Sequence, residues 1–288
     1  MSDFLLSALL GVVEGVTEFL PVSSTAHLRI SEALLGLDLG NGYWKMFTIV
    51  IQLGAIACLP IYFRARIAEF LRSFASAARE GKTLLAHPLV LTVVAFVVTA
   101  IPSLLLVKVI GKNLESLYVM SGSLIVGGVV MWVVDALYAR QRLATRTERM
   151  EQMGLGQAVW VGFCQIFSGV FPGVSRSMST IAGGQLAGMT RAAALEFSFF
   201  LSMPTMAAAT LYDLAKTLRD AHRSPLGAVQ VDAHGWLLLA IGFAISFVVA
   251  YGVVAWFMGW VRRRGFVPFA VYRIAAGAAV LAWAAGAL

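Results

Sequence analysis

Gly11-Val-Val-Glu14-Gly-Val-Thr17-Glu18-Phe-Leu-Pro21-Val-Ser23-Ser24-Thr25-Ala-His27 sets two carboxylates, three consecutive hydroxyls and an imidazole inside otherwise apolar sequence. Ionisable groups at membrane depth are costly unless they face a cavity or one another, so the stretch reads as a functional site rather than as packing. Pro21 removes a backbone donor and ends the incoming helix, and the hydroxyls after it can cap a new one. Backbone broken in this way is tolerated within a bilayer only where it lines a polar cavity. Residues 4–35 are therefore expected to form a re-entrant helix–break–helix hairpin instead of a span.

The surrounding chain agrees. Of 288 residues, 59% are hydrophobic and 13% charged, and the mean hydropathy is +0.82. Those values exclude a soluble globule and indicate a polytopic membrane protein. Apolar runs long enough to cross a bilayer lie near 44–63, 88–110, 117–138, 192–215, 235–260 and 267–287, which predicts an all-α fold with six transmembrane helices. The net charge of +7 is concentrated in loops. Arg64, Arg66, Arg72, Arg79 and Lys82 follow the first span, Arg140, Arg142, Arg146 and Arg149 the third, and Arg262, Arg263 and Arg264 the fifth. Basic loops in alternation mark the cytoplasmic side and account for the charge without a nucleic-acid partner. The turn 111–116, with Lys112 and Glu115, fits the outside, as does the loop 216–234, where Lys216, Arg219 and Arg223 are balanced by Asp213, Asp220 and Asp232. Met1-Ser-Asp lacks the basic start of a secretory leader, so insertion is expected to rely on the spans themselves. Cys58 and Cys164 lie in apolar runs without metal-ligand spacing and read as buried thiols.

A second broken segment, 155–186, is interrupted by Pro172-Gly173-Val-Ser175-Arg176-Ser177-Met-Ser179-Thr180. Shifting the chain by 151 positions lays Gly11 on Gly162, Glu14 on Gln165, Thr17 on Ser168, Pro21 on Pro172, Ser24 on Ser175 and Ile30 on Ile181. With the loops oriented as above, the first hairpin enters from outside and the second from the cytoplasm. The expectation is an inverted-topology repeat in one membrane domain, repeat one about 1–138 and repeat two about 155–288, with a site where the two meet.

Glu14 and Glu18 are one helical turn apart, so both carboxylates project from one face. Like charges this close in a low dielectric need a cation or a shared proton between them. A hard divalent ion, magnesium or calcium, held by the pair and by water and phosphate oxygens answers that need; carboxylates lining an aqueous vestibule, one of them protonated, are the alternative. Ser23, Ser24 and Thr25 stand where a second helix begins, and free N–H groups there suit phosphate. His27 is one turn beyond Ser24, a spacing compatible with proton transfer. Arg176 sits among four hydroxyls and a glycine; either it grips phosphate with its planar fork or it neutralises Glu14 or Glu18. Cation, clamp, nucleophile and base together make a kit for phosphoryl transfer.

These two motifs, with Val50-Ile-Gln52-Leu-Gly-Ala-Ile and Leu195-Glu-Phe-Ser-Phe-Phe-Leu, resemble the undecaprenyl pyrophosphate phosphatase (bacitracin-resistance) family of bacterial inner-membrane enzymes across essentially the whole chain. The position before His27, often glycine in that family, is Ala26 here. The resemblance implies hydrolysis of undecaprenyl diphosphate to undecaprenyl phosphate, the carrier lipid of peptidoglycan and other envelope polymers, with bacitracin resistance as a consequence. It implies divalent-cation dependence, an active site open to the periplasmic side, and leaves monomer or homodimer open. By position, Glu14 and Glu18 take the metal-and-acid role, Ser24 or His27 the nucleophile and base roles, and Ser175 and Arg176 the diphosphate clamp. Ser23, Thr25, Ser177, Thr180, Gly173 and Gln52 complete the expected substrate-binding set. A transporter or flippase of a phosphorylated lipid is the rival, since broken helices also build carriers; a carrier, however, has no use for a nucleophile and base.

Overall fold

A computed structural model describes residues 2–37, 42–81, 83–106, 116–139, 147–220 and 231–286. Lys82, Lys112, Glu115, Arg140, Arg142, Arg146 and Arg223 lie outside the described residues, as do the side chains of Lys216, Arg219 and Asp220. The elements are α1 (Asp3–Thr17), α2 (Ser24–Leu34), α3 (Gly42–Tyr62), α4 (Arg64–Arg79), α5 (Pro88–Leu105), α6 (Leu117–Ala139), a 3-10 turn (Met150–Gln152), α7 (Leu155–Val170), α8 (Arg176–Leu186), α9 (Arg191–Asp220), α10 (Ala233–Val261) and α11 (Val267–Ala284). The described residues contain no β-strand, only one isolated bridge, Thr147 to Met189.

Six helices are long and apolar enough to cross a membrane: Tyr43–Tyr62, Pro88–Leu105, Leu117–Ala139, Arg191–Ala215, Ala233–Val261 and Val267–Ala284. They are the six spans expected, and the chain is an all-α, multi-pass membrane protein. The two broken segments are also helical hairpins. α1 has 15 residues and α7 has 16, which at about 1.5 Å per residue is short of a hydrocarbon core about 30 Å thick. Their returning arms, α2 and α8, have 11 residues each.

The basic stretch after the first span differs from the loop expected over 64–87. Arg64–Arg79 is a helix. Its arginines are offset by Ile67, Phe70, Leu71 and Phe74 at helical spacing, and Phe70 is buried while Arg64 and Arg72 face out. Charge density disguised an amphipathic helix as a loop.

The chain forms two compact units. The first comprises Met1–Phe19, Ser24–Tyr62 and Ser202–Ala255. Leu6, Leu10, Leu28, Met46, Phe47, Ile51 and Leu239 form its core. A Cβ on Gly11 would stand 2.8 Å from the Gly242 carbonyl, and one on Gly15 equally close to the Ser246 carbonyl, so α1 can lie against α10 only because both positions are glycine. Ser7 Oγ donates to the Leu238 carbonyl at 2.7 Å and Ser246 Oγ to that of Ile51 at 2.8 Å. Small residues and hydroxyl-to-carbonyl bonds hold helices together where lipid removes the hydrophobic drive.

The second unit comprises Leu20–Ser23, Phe63–Leu201 and Trp256–Leu288. Here α7 lies on α5: a Cβ on Gly162 would meet the Ala95 carbonyl at 2.5 Å, and Thr99 Oγ1 donates to the Gly162 carbonyl at 2.8 Å. Gly11 and Gly162, which the 151-residue shift superposes, thus do the same job. Each presses on a carbonyl of a helix from the other half of the sequence. α4 is anchored by Phe70, whose ring meets Phe200 at 5.3 Å, and by Arg66, which donates to Glu69, Glu151 and Glu196 at 2.8–2.9 Å.

Candidate active site

Glu18 N–H donates to the Glu14 carbonyl at 2.9 Å, so helical geometry continues through Glu18 and the two carboxylates are one turn apart. Glu14 is fully buried, and neither of its oxygens receives a hydrogen bond from a described donor. Glu18, 6% exposed, accepts the Ser24 hydroxyl at Oε2 over 2.6 Å. A hydroxyl has one proton, and in this structure that of Ser24 is directed at Glu18, where the sequence suggested His27. His27 is half-buried on the same face of α2, one turn on. Thr25 is exposed, and Arg29 donates to the buried Glu32 at 3.2 Å. Gln52 Oε1 accepts from Thr210 Oγ1 at 3.3 Å, which ties α3 to α9 within the first unit.

Both breaks turn on a serine. Ser23 and Ser175 each have φ 74°, the only non-glycine residues among those described with positive φ. Such backbone costs about 1–3 kcal/mol and persists only where its surroundings enforce it. Each serine immediately precedes its 11-residue helix. Beyond the break the two hairpins therefore correspond at an offset of 152, not 151, because six residues separate α1 from α2 and five separate α7 from α8. Ser24 matches Arg176 in place of Ser175.

In the second hairpin Ser175 Oγ accepts from Met178 N–H at 3.4 Å and lies 3.1 Å from Ser177 Oγ, which donates to the Leu20 carbonyl at 3.0 Å. Thr180 Oγ1 is 2.6 Å from the buried Ser198 Oγ, and Arg176 Nη1 donates to the Ser198 carbonyl at 3.4 Å. Gly173 has φ 97°, and a Cβ there would meet the Met120 carbonyl at 2.6 Å. The clasp comes from Arg273, completely buried in α11, which donates to the carbonyls of Pro21 at 3.0 Å, Gly173 at 2.8 Å and Ser123 at 3.2 Å. One guanidinium thus joins the turn Leu20–Ser23 of the first break to the turn of the second, inside one unit.

Over residues 7–279 the chain matches the family described as Bacitracin resistance protein BacA. It belongs to that family. A protein named undecaprenyl-diphosphatase from Koribacter versatilis is 65% identical over 286 residues, covering 99% of both chains. Proteins of the same name from Sorangium cellulosum (96% of this chain, 84% of that protein) and Novosphingobium aromaticivorans (99% of each) are 43% identical. Within this BacA-family chain the two hairpins share a frame and differ in chemistry. The position of Glu14 is held in the second by Gln165, which donates to Thr99 Oγ1 at 3.3 Å, while the guanidinium stands at the position of Ser24. Arg273 and Ser198 were not singled out in the sequence. Arg273 carried the signal of any arginine inside a span, yet its partners are backbone carbonyls that no local pattern reveals. Ser198 looks like any small residue in an apolar helix.

Proposed function

We propose that this protein hydrolyses undecaprenyl diphosphate to undecaprenyl phosphate and inorganic phosphate in the bacterial inner membrane, from a site open to the periplasm. This would regenerate the carrier lipid for peptidoglycan and other envelope polymers and lower sensitivity to bacitracin. The Ser24 hydroxyl held 2.6 Å from Glu18 within a helix break carries the reading, and the names of the relatives support it.

Ser24 Oγ attacks the terminal phosphorus as its proton passes to Glu18. The bond from that phosphorus to the bridging oxygen breaks, and undecaprenyl phosphate leaves. Water then hydrolyses the phosphoserine, with His27 taking the water's proton, and inorganic phosphate departs. The N–H groups opening α2, together with Arg176, receive the phosphate oxygens. Magnesium or calcium suits the acids. Glu14 offers two buried oxygens without a donor, and the described residues contain no cluster of three or more His, Cys, Asp or Glu. The donor set is thus that of a hard ion sharing its shell with water and phosphate. When bound, the ion would neutralise charge on the diphosphate.

The deciding experiment is phosphate release from undecaprenyl diphosphate by purified protein with magnesium, against the same assay in chelator. Magnesium-dependent release is expected. Lipid movement between leaflets without release would favour a carrier.

A further inference from the structure

An apolar groove of about 550 Å³ runs along the second unit between α6, α7 and α8. Its α8 wall is formed by Val174, Met178, Ala182 and Leu186, one residue per turn over the whole helix. Gly122 and Val126 of α6 and Phe167 of α7 stand on the other sides. No charged side chain lines it. At its upper end Val174 adjoins Ser175 and Arg176 in the chain, so the groove begins at the proposed phosphate clamp and leads away from it.

Gly122 shows that the protein leaves this space open. A Cβ there would meet nothing within 4 Å, in contrast to Gly127 and Gly183 nearby, which are pressed against Arg273 and Cys164. Glycine in the middle of a helix is unfavourable where close packing does not demand it. Here it keeps a groove wide.

We propose that this groove holds the isoprenoid tail of the substrate, with the first isoprene units beside Gly122 and later ones towards Leu186. The proposal rests on the reading of the substrate as a polyprenyl diphosphate. The occupant follows from continuity with the Ser175–Arg176 turn. A lipid acyl chain could wet any apolar surface, but only a chain attached to a diphosphate is led into the groove by that clamp. The long uncharged wall supplies the hydrophobic contact, and the small residues give room to a methyl-branched chain.

The test is Gly122→Trp, with Gly122→Ala as control, assayed on undecaprenyl, farnesyl and geranyl diphosphates. Tryptophan at an open position should raise KM for the undecaprenyl substrate about tenfold or more while leaving kcat within about twofold, the signature of lost uniform binding. The KM effect should shrink as the prenyl chain shortens, and the alanine variant should behave as wild type. An unchanged KM, or a loss equal for all chain lengths, would overturn the assignment. A second arm does not need turnover: a photoreactive prenyl phosphate should label residues 119–130 and 174–186, and undecaprenyl phosphate should compete. Label there that added undecaprenyl phosphate fails to displace identifies bulk lipid as the occupant and overturns the proposal; its absence does the same. Competed label with no phosphate release from wild type would retain the groove and sink the phosphatase reading.

Discussion

Ser24 and Arg176 occupy equivalent places, the first residue after a strained serine, and the proposed chemistry divides between them. Ser24→Ala should remove turnover by about three orders of magnitude, as loss of a nucleophile does, and wild-type enzyme quenched during turnover should carry acid-stable phosphoserine. Acid-labile, alkali-stable label would move the nucleophile to His27. Arg176→Lys keeps the charge but loses the planar fork, and should cost about 2–4 kcal/mol of transition-state stabilisation; a lysine variant with more than about a tenth of wild-type turnover would show that a point charge suffices. Glu14→Gln should raise the magnesium concentration needed for half-maximal rate, read by titration, because Glu14 is the buried acid without a donor. These residues were legible because polar groups inside apolar sequence are expensive and conspicuous. The direction of the Ser24 proton was not, since sequence spacing offers His27 and Glu18 as equal neighbours and only geometry chooses between them.

The helices that stand alone as apolar runs were legible to within a few residues, while α4 and the exact match of the two hairpins were not. A one-residue difference in loop length is invisible to a shift that maximises identities, because Gly11 with Gly162 and Pro21 with Pro172 outweigh a turn conformation that leaves no mark on sequence. α4 escaped because its arginines dominate the composition while its anchor, Phe70, needs partners from elsewhere in the chain. Two tests follow. Phe70→Ala should destabilise the protein by about 3–5 kcal/mol, as seen for buried aromatic truncations, and lower its melting temperature in detergent. At the other end of the anchor, burial raises the Glu151 carboxyl, but the 2.8 Å hydrogen bond from Arg66 and the arginine charges outweigh it and hold the group below its ordinary range. A depressed acid stabilises the fold above its unfolded pKa and loses that contribution as pH falls through its folded value. The melting advantage of wild type over Glu151→Gln should therefore be present near neutrality and fade below the ordinary carboxylate range; an advantage that is constant with pH would remove Arg66–Glu151 from the docking of α4.

At the scale of the molecule, the duplicated glycines show why two halves of the sequence cannot fold apart. α1 needs a carbonyl on α10 and α7 one on α5, so each hairpin borrows its support from the opposite repeat. Arg273 adds a second tie, since a single guanidinium satisfies carbonyls from residues 21, 123 and 173. Orientation in the membrane then rests on charge alone. Arg64, Arg66, Arg72 and Arg79 of α4 and Arg262, Arg263 and Arg264 after α10 are separated from the start of α10 by spans, and short basic segments are retained in the cytoplasm. We expect a single cysteine at Ala78, placed on a chain with Cys58 and Cys164 replaced, to resist an impermeant thiol reagent in intact cells and to react after permeabilisation. One at Ala233, exposed at the opening of α10, should react without it. The native thiols are poor competitors in any case, Cys58 being wholly buried. Ready labelling at position 78 in intact cells would invert the topology, put the basic segments outside, and with them overturn the periplasmic opening of the site.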